Sequence, residues 1–187
     1  MSSRAAERVR LFVALELPEE ARSALLEWRS GQASAERLRL IRPDALHATL
    51  CFLGWRSDDE IERIGAACGD TLRGLRAPGL ALGEGLWLPP RRPRVLAVEL
   101  SDPTKALKEL QASLSDALSA GGWYTPEKRP YLAHVTVARV PARAGVRAVE
   151  LSPSPRLGFL PPAITLYRSR LERAGARYEP LARMGLE

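Results

Sequence analysis

This 187-residue sequence contains two histidines, and both occur in the same local phrase. His47 lies in LHATLCFLG and His134 in LAHVTVARV, and each is followed two residues later by a threonine, Thr49 and Thr136. With six threonines in the chain, a chance threonine at both places is expected in roughly one such chain in a thousand, so the repetition calls for a chemical reading. A single histidine of this kind would be read as a hydrogen-bonded structural residue. Two of them offer more. An imidazole titrates near pH ~6.5, so one can be neutral and act as base while the other is protonated and acts as acid. That division suits cleavage of a phosphodiester without a metal. The base takes a proton from water, the acid protonates the leaving oxygen, and two hydroxyls hold the phosphoryl oxygens where charge builds up.

Other chemistries find less support. Two histidines without a clustered set of Asp, Glu or Cys fall short of a zinc site, so neither a metal nor another cofactor is expected. There is no G-x-S-x-G elbow, no P-loop and no dinucleotide fingerprint, and GEG at Gly83 to Gly85 is too short to count. Cys51 and Cys68 stand in no metal-ligand spacing, and a disulfide is not expected in a reducing compartment.

The elements that must position these residues can be read from the pattern. VRLFVALEL (9–17) predicts a strand, and Pro18 opens a helix through Leu25, Leu26 and Trp28 that stops at Gly31. The first histidine strand is expected over 46–53, closed by Gly54. Ser57 to Glu60 reads as a capping box opening a helix through Ile61, Ile64, Ala67 and Cys68. GLALGEGLWL and VLAVEL (95–100) predict strands. Asp102–Pro103 predicts the start of a helix that carries Leu107, Leu110, Leu114 and Leu118 and stops at Gly121–Gly122. The second histidine strand is expected over 132–140, and AITLYRSRL and RYEPLARMGL predict a hairpin about Ala174–Gly175. The two halves look related, RPDALHAT answering KRPYLAHVT. An α+β fold with two antiparallel-rich sheets facing each other fits this order.

Alternation along a strand puts His47, Thr49 and Cys51 on one face, with Leu46, Ala48, Leu50 and Phe52 on the core face. In the second phrase His134 and Thr136 share a face with Leu132 and Ala138. Arg139 then falls on the wrong face unless the strand ends, twists or bulges.

Length and composition set the outer limits. The chain is long enough for one domain or two small lobes. It offers no long apolar run for a membrane span and no secretory signal, so a cytoplasmic protein is expected. The net charge is +6, carried mostly by arginine, since only Lys105, Lys108 and Lys128 are lysines. This fits either a genome rich in G and C or a surface that attracts phosphate polymers.

With these residues in view, the sequence resembles the 2H phosphoesterases, and within them the RNA 2′,3′-cyclic phosphodiesterase branch, also known as 2′-5′ RNA ligase. RLFVALELP resembles the family's opening strand, LHATLCFLG and HVTVAR its two motif strands, PRVLAVEL its middle strand, and LYRSRLERAGARYEPL its closing hairpin. The resemblance implies one domain over residues 1–187, bilobal, with two pseudo-symmetric halves and the active site in the cleft between them. It implies metal-independent hydrolysis of an RNA-terminal 2′,3′-cyclic phosphate to a 2′-phosphate by a monomer. Ligation of RNA ends, such as tRNA halves, would be the same chemistry reversed. His47 and His134 carry over as catalytic residues, and Thr49, Thr136 and Arg139 as phosphate-binding ones. The resemblance gives Phe52 a base-stacking role, against core packing on strand parity. Arg129 is a further candidate for meeting RNA phosphates. The family order makes His47 the acid and His134 the base, with Arg139 beside His134 lowering its pKa. Two other readings stay open: an RNA-end binder without turnover, and a phosphodiesterase for a small cyclic nucleotide or a 2′-5′ oligonucleotide.

Overall fold

The computed structural model describes residues 7–32, 35–142, 146–172 and 175–187. The β-branched and aromatic run near the N-terminus forms β1 (Arg8–Glu16), and Pro18 precedes α1 (Glu19–Ser30). A two-residue strand, β2 (Arg39–Leu40), comes before the first histidine strand, β3 (His47–Ser57). The capping box is formed as the sequence predicts: the Ser57 backbone N–H donates to Glu60 at 2.9 Å. It leads through one tight turn into α2 (Ile61–Leu72). Then come β4 (Leu80–Leu88), β5 (Val95–Ser101), α3 (Ala106–Ala120), β6 (His134–Arg139), β7 (Gly158–Phe159), β8 (Ala163–Glu172) and β9 (Gly175–Gly185).

Three boundaries differ from the sequence reading. Gly54 does not close β3; it takes a positive φ of 72° inside the strand, which runs on to Ser57. The second histidine strand is shorter than expected, beginning at His134 itself. The helix after β5 starts at Ala106, because Lys105 adopts a left-handed φ of 62° and Asp102 caps from outside, accepting the Lys108 N–H at 3.0 Å. The hairpin of β8 and β9 is present, with its tip residue Ala174 outside the described residues.

The strands do not form two sheets facing each other. They form one antiparallel nine-stranded sheet in the order β7-β4-β5-β6-β3-β1-β8-β9, with β2 also paired to β6. The two halves of this sheet, β7-β4-β5-β6 and β3-β1-β8-β9, meet at the single pair Ala48↔Val135. Those two residues are equivalent, each coming directly after a motif histidine. The halves also share a strand–helix–strand order, β1-α1-β3 and β5-α3-β6. Each helix crosses over: α1 packs near β6 and α3 against β3. Together these relations describe a pseudo-two-fold arrangement centred on the Ala48–Val135 pair.

Beneath the sheet Leu11, Leu15, Leu25, Ile64, Leu96, Leu107, Leu114, Leu118, Ile164 and Leu166 are fully buried. Each such side chain contributes about 1.5–3 kcal/mol of transfer free energy. Cys51 and Cys68 are free and buried in this core, and burial pushes both thiols up to about 12. Among the described residues no helix is long and apolar enough to cross a membrane.

Candidate active site

The Ala48↔Val135 pair places the site. In an antiparallel ladder the residue before one partner approaches the residue after the other. His47 is therefore brought toward Thr136, and Thr49 toward His134. All four line one cavity of about 430 Å³ on the open face of the sheet. Each imidazole is held by the same local device. The His47 Nδ1–H donates to the Ala45 carbonyl at 2.8 Å, and the His134 Nδ1–H to the Leu132 carbonyl at 2.8 Å. A carbonyl cannot donate, so both rings carry their proton on Nδ1 when neutral and keep Nε2 for other work. The Thr49 hydroxyl lies 3.1 Å from the His47 Nε2 and donates to it while that ring is neutral.

Past each threonine the strand departs from simple alternation, in the same way twice. In β3, Ala14 pairs with Thr49 but Val13 pairs with Cys51, leaving Leu50 as an extra residue. In β6, Ala97 pairs with Thr136 but Leu96 pairs with Ala138, leaving Val137 extra. Each β-bulge flips the parity of the residues beyond it. Cys51 and Ala138, expected on the site face, are buried in the core. Phe52 and Arg139, expected on the core side, both line the cavity. Phe52 is 45% exposed.

Each bulge is held from below by a buried polar side chain of the crossing helix. Gln111 on α3 donates to the Leu50 carbonyl at 3.2 Å. Arg29 on α1 donates to the Val137 carbonyl at 3.0 Å and also to the Ile41 carbonyl. A bulge removes ladder partners from its own backbone, and a buried carbonyl without a partner is costly. Gln111 supplies a donor to the Leu50 carbonyl, and Arg29 adds a second donor to the Val137 carbonyl, which also accepts the Ile41 backbone N–H at 3.0 Å; the sequence reading missed both helix residues.

The surroundings of the two histidines differ. His47 is packed among rings, 5.0 Å from Phe12, 5.1 Å edge-on from Tyr178 and 6.4 Å from Tyr167. Burial holds its pKa down to about 4, and the positive charges of Arg139 and His134 push the same way against the Ala45 hydrogen bond. The charge of Arg139 thus acts on His47. Under the rings, Glu16 accepts from the Thr165 hydroxyl at 2.6 Å and from Arg183 at 3.1 Å, which ties β1, β8 and β9 together.

Arginine rims the cavity. Arg10, Arg39, Arg42 and Arg139 all line it, with Glu172 at the edge. Arg42 is paired with Asp44, its Nε donating at 3.0 Å. Arg39 and Arg139 lie directly opposite each other on β2 and β6. Like charges so placed repel, and a bound anion relieves the repulsion. Arg39 also closes on the last hairpin, where a Cβ on Gly175 would come within 2.8 Å of its guanidinium. Arg129, by contrast, is not part of the cavity; its side chain is solvated and stands 4.0 Å from Glu127. The sequence reading also missed Phe12, Tyr167, Tyr178 and Arg39, which come from strands far apart in the chain.

Comparisons with known proteins bear on the family and the fold. Residues 12–173 match the model of the 2′-5′ RNA ligase superfamily. The chain is 31% identical to the RNA 2′,3′-cyclic phosphodiesterase of Escherichia coli over 96% of its own length and 98% of that protein. It is 30% identical to the protein of the same name from Thermus thermophilus, over 95% and 90% of the two chains. The crystal structure of Escherichia coli LigT complexed with 3′-AMP superposes with a TM-score of 0.79 at 30% identity, covering 96% of this chain and 99% of that one. The chain belongs to the 2′-5′ RNA ligase superfamily.

Proposed function

We propose that the cavity takes the 2′,3′-cyclic phosphate end of an RNA and hydrolyses it to a 2′-phosphate, without a metal. Cyclic phosphate hydrolysis is the activity named for the full-length relatives above. The observation that carries the mechanism is the pair of imidazoles set about the Ala48↔Val135 pair, each with Nδ1 engaged by a backbone carbonyl. The cyclic phosphate lies between them. Thr49, Thr136 and Arg139 bind its non-bridging oxygens, and the terminal base stacks on Phe52. Water attacks phosphorus in line with the 3′ oxygen, so the proton donor and the proton acceptor stand on opposite sides. Two groups related by a pseudo-two-fold meet that requirement, and one group alone does not.

We assign protonation of the 3′ oxygen to His47 and activation of water to His134. With its pKa held down to about 4, His47 is neutral at neutral pH. Its acid role therefore requires the bound phosphate to raise its pKa, which an adjacent anion does. The depressed value favours the opposite order as the second reading. A bell-shaped pH profile fits both orders, because it reports the coupled pair.

The experiment that tests the function is incubation with an RNA oligonucleotide ending in a 2′,3′-cyclic phosphate, in excess EDTA. A 2′-phosphate product formed at the same rate as without EDTA is expected. A 3′-phosphate product, or turnover that stops on chelation and returns with a divalent ion, contradicts it. The parallel reaction, in which the 5′-hydroxyl of a second RNA replaces water, attacks phosphorus and releases the 3′ oxygen to leave a 2′-5′ linkage, is read out by gel shift in the same mixture with that RNA added.

A further inference from the structure

The sheet face does not end at the cavity described above. A second bulge in β3 leaves Leu53 extra, between the pairs Phe12↔Phe52 and Leu11↔Gly54. With the bulge at Leu50, it sets a three-residue step along the strand, so that Phe52 and then Trp55 stand on the face that carries His47 and Thr49. Trp55 pairs directly with Arg10 on β1, and β1 alternates without a break from Arg10 to Phe12. Residues directly opposite in an antiparallel pair share a face. Arg10 and Phe12 both line the cavity, so Trp55 lies on the cavity face, one step beyond Phe52. Trp55 as a residue is 53% exposed. The Arg10 guanidinium lies over the Phe52 ring, 4.7 Å from its centre. An arginine is thus set between two exposed aromatic side chains.

We infer that Trp55 is a second nucleobase platform, which seats the nucleotide immediately upstream of the RNA end, with Arg10 meeting the phosphodiester that links the two nucleotides. The inference rests on the cyclic phosphodiesterase reading for its ligand. Two residues of β1 separate the level of Phe52 from that of Trp55, about 7 Å at the usual strand rise, a distance one extended nucleotide spans. A basic groove with aromatic side chains at nucleotide spacing is how single strands are bound with little sequence preference. The terminal base already occupies Phe52, and the chain must leave the cavity through its 5′ phosphate. Trp55 is the next ring on that face, and Arg10 supplies the charge complementary to the linking phosphate. The platform explains why a large apolar side chain is left exposed beside a polar cavity. It makes the site one for RNA ends over free cyclic mononucleotides.

The test compares a mononucleotide 2′,3′-cyclic phosphate with the dinucleotide that carries the same terminal nucleotide, in wild type, Trp55→Ala and Trp55→Phe. Stacking of one base corresponds to roughly 5- to 150-fold in affinity. Wild type is expected to prefer the dinucleotide in kcat/KM by a factor in that range. Trp55→Ala should bring the ratio toward one, and Trp55→Phe should restore most of it. A ratio that Trp55→Ala leaves as it was overturns the platform, as does a wild-type ratio near one. Binding is read separately from turnover. The other tryptophans, Trp28, Trp87 and Trp123, are each 7% exposed, so quenching of tryptophan fluorescence by a stacked base reports Trp55. A dinucleotide with a terminal 2′-phosphate should quench wild type, the mononucleotide product should not, and Trp55→Phe should abolish the effect. If neither cyclic substrate is hydrolysed, the phosphodiesterase reading fails, and the quenching alone then decides the platform: selective quenching by the dinucleotide supports it, and its absence overturns it.

Discussion

The two histidine strands, β3 and β6, share a backbone and differ in the side chains they present with it. Each carries histidine, a buried pairing residue, threonine, a bulge, and then a side chain returned to the site face by that bulge. In β3 the returned side chain is Phe52, and the bulge carbonyl is held by neutral Gln111. In β6 it is Arg139, and the carbonyl is held by Arg29. On the proposed reading, one strand offers a ring to a base and the other a charge to a phosphate. Pseudo-symmetry here belongs to the backbone and to the histidine–threonine pairs. The asymmetry comes from the side chain that each bulge returns to the cavity, and in the proposed function that asymmetry sets the direction in which a nucleotide binds.

The comparison can be broken most severely at the histidines. His47→Ala and His134→Ala should each lower kcat by about 10²–10⁴-fold, with the far-ultraviolet spectrum and melting temperature showing that the fold survives. A folded variant that keeps near-normal turnover removes that strand from the chemistry. Next come the returned side chains. Arg139→Ala should weaken substrate binding by about 1.5–3 kcal/mol and make the dependence of Kd on salt shallower by close to one phosphate contact. Phe52→Ala should weaken binding by about 1–3 kcal/mol and leave the salt dependence as it was. If both variants move the salt slope alike, the division between base strand and phosphate strand is wrong.

The bulge supports give the next test. Gln111→Leu removes the side-chain donor to the Leu50 carbonyl, and Arg29→Met removes one of two donors to the Val137 carbonyl together with the side-chain donor to Ile41; each should cost about 1–3 kcal/mol in denaturant unfolding. Gln111→Leu should affect nucleotides with large bases most, and Arg29→Met should mimic Arg139→Ala in its salt slope. A further test is the pH effect of the ring cage about His47. Its pKa is lowered in the folded protein to about 4 from the usual value near 6.5. Folding is therefore not penalised above about pH 6.5. Stability is lost as pH falls toward 4, because the unfolded chain protonates His47 first, and the loss approaches about 3 kcal/mol. His47→Gln should flatten that part of the stability profile, and an unchanged profile would show that the cage does not depress the group.

The phrase H-x-T, its repetition, the strands that carry it and the main helices were legible in the sequence, because each rests on local pattern. The face of Phe52 and Arg139 was not. Leu50 and Val137 are ordinary strand residues, and nothing local marks them as bulged; the partner strand's register does. Strict alternation therefore put Cys51 and Ala138 into the cavity and Phe52 and Arg139 outside it. Gln111 stands within the apolar run Leu107, Leu110, Leu114 of α3, and a polar residue in such a stripe signals a buried hydrogen bond. The ring cage of Phe12, Tyr167 and Tyr178 could not be read locally, since its members meet only when β1, β8 and β9 pair. Arg129 stands next to Pro130 at the approach to β6, and its nearness in sequence did not become nearness in space.

The division of labour between the strands is tested most directly with a cyclic phosphate whose 3′ bridging oxygen is replaced by sulfur. A thiolate leaves without a proton, so the variant that lacks the acid should recover and the variant that lacks the base should not. His47→Ala is expected to regain most of its lost kcat on this substrate, while His134→Ala stays impaired. Recovery of His134→Ala alone would invert the order and agree with the depressed pKa of His47. Equal recovery of both, or of neither, would contradict the claim that two equivalent strands carry opposite proton transfers.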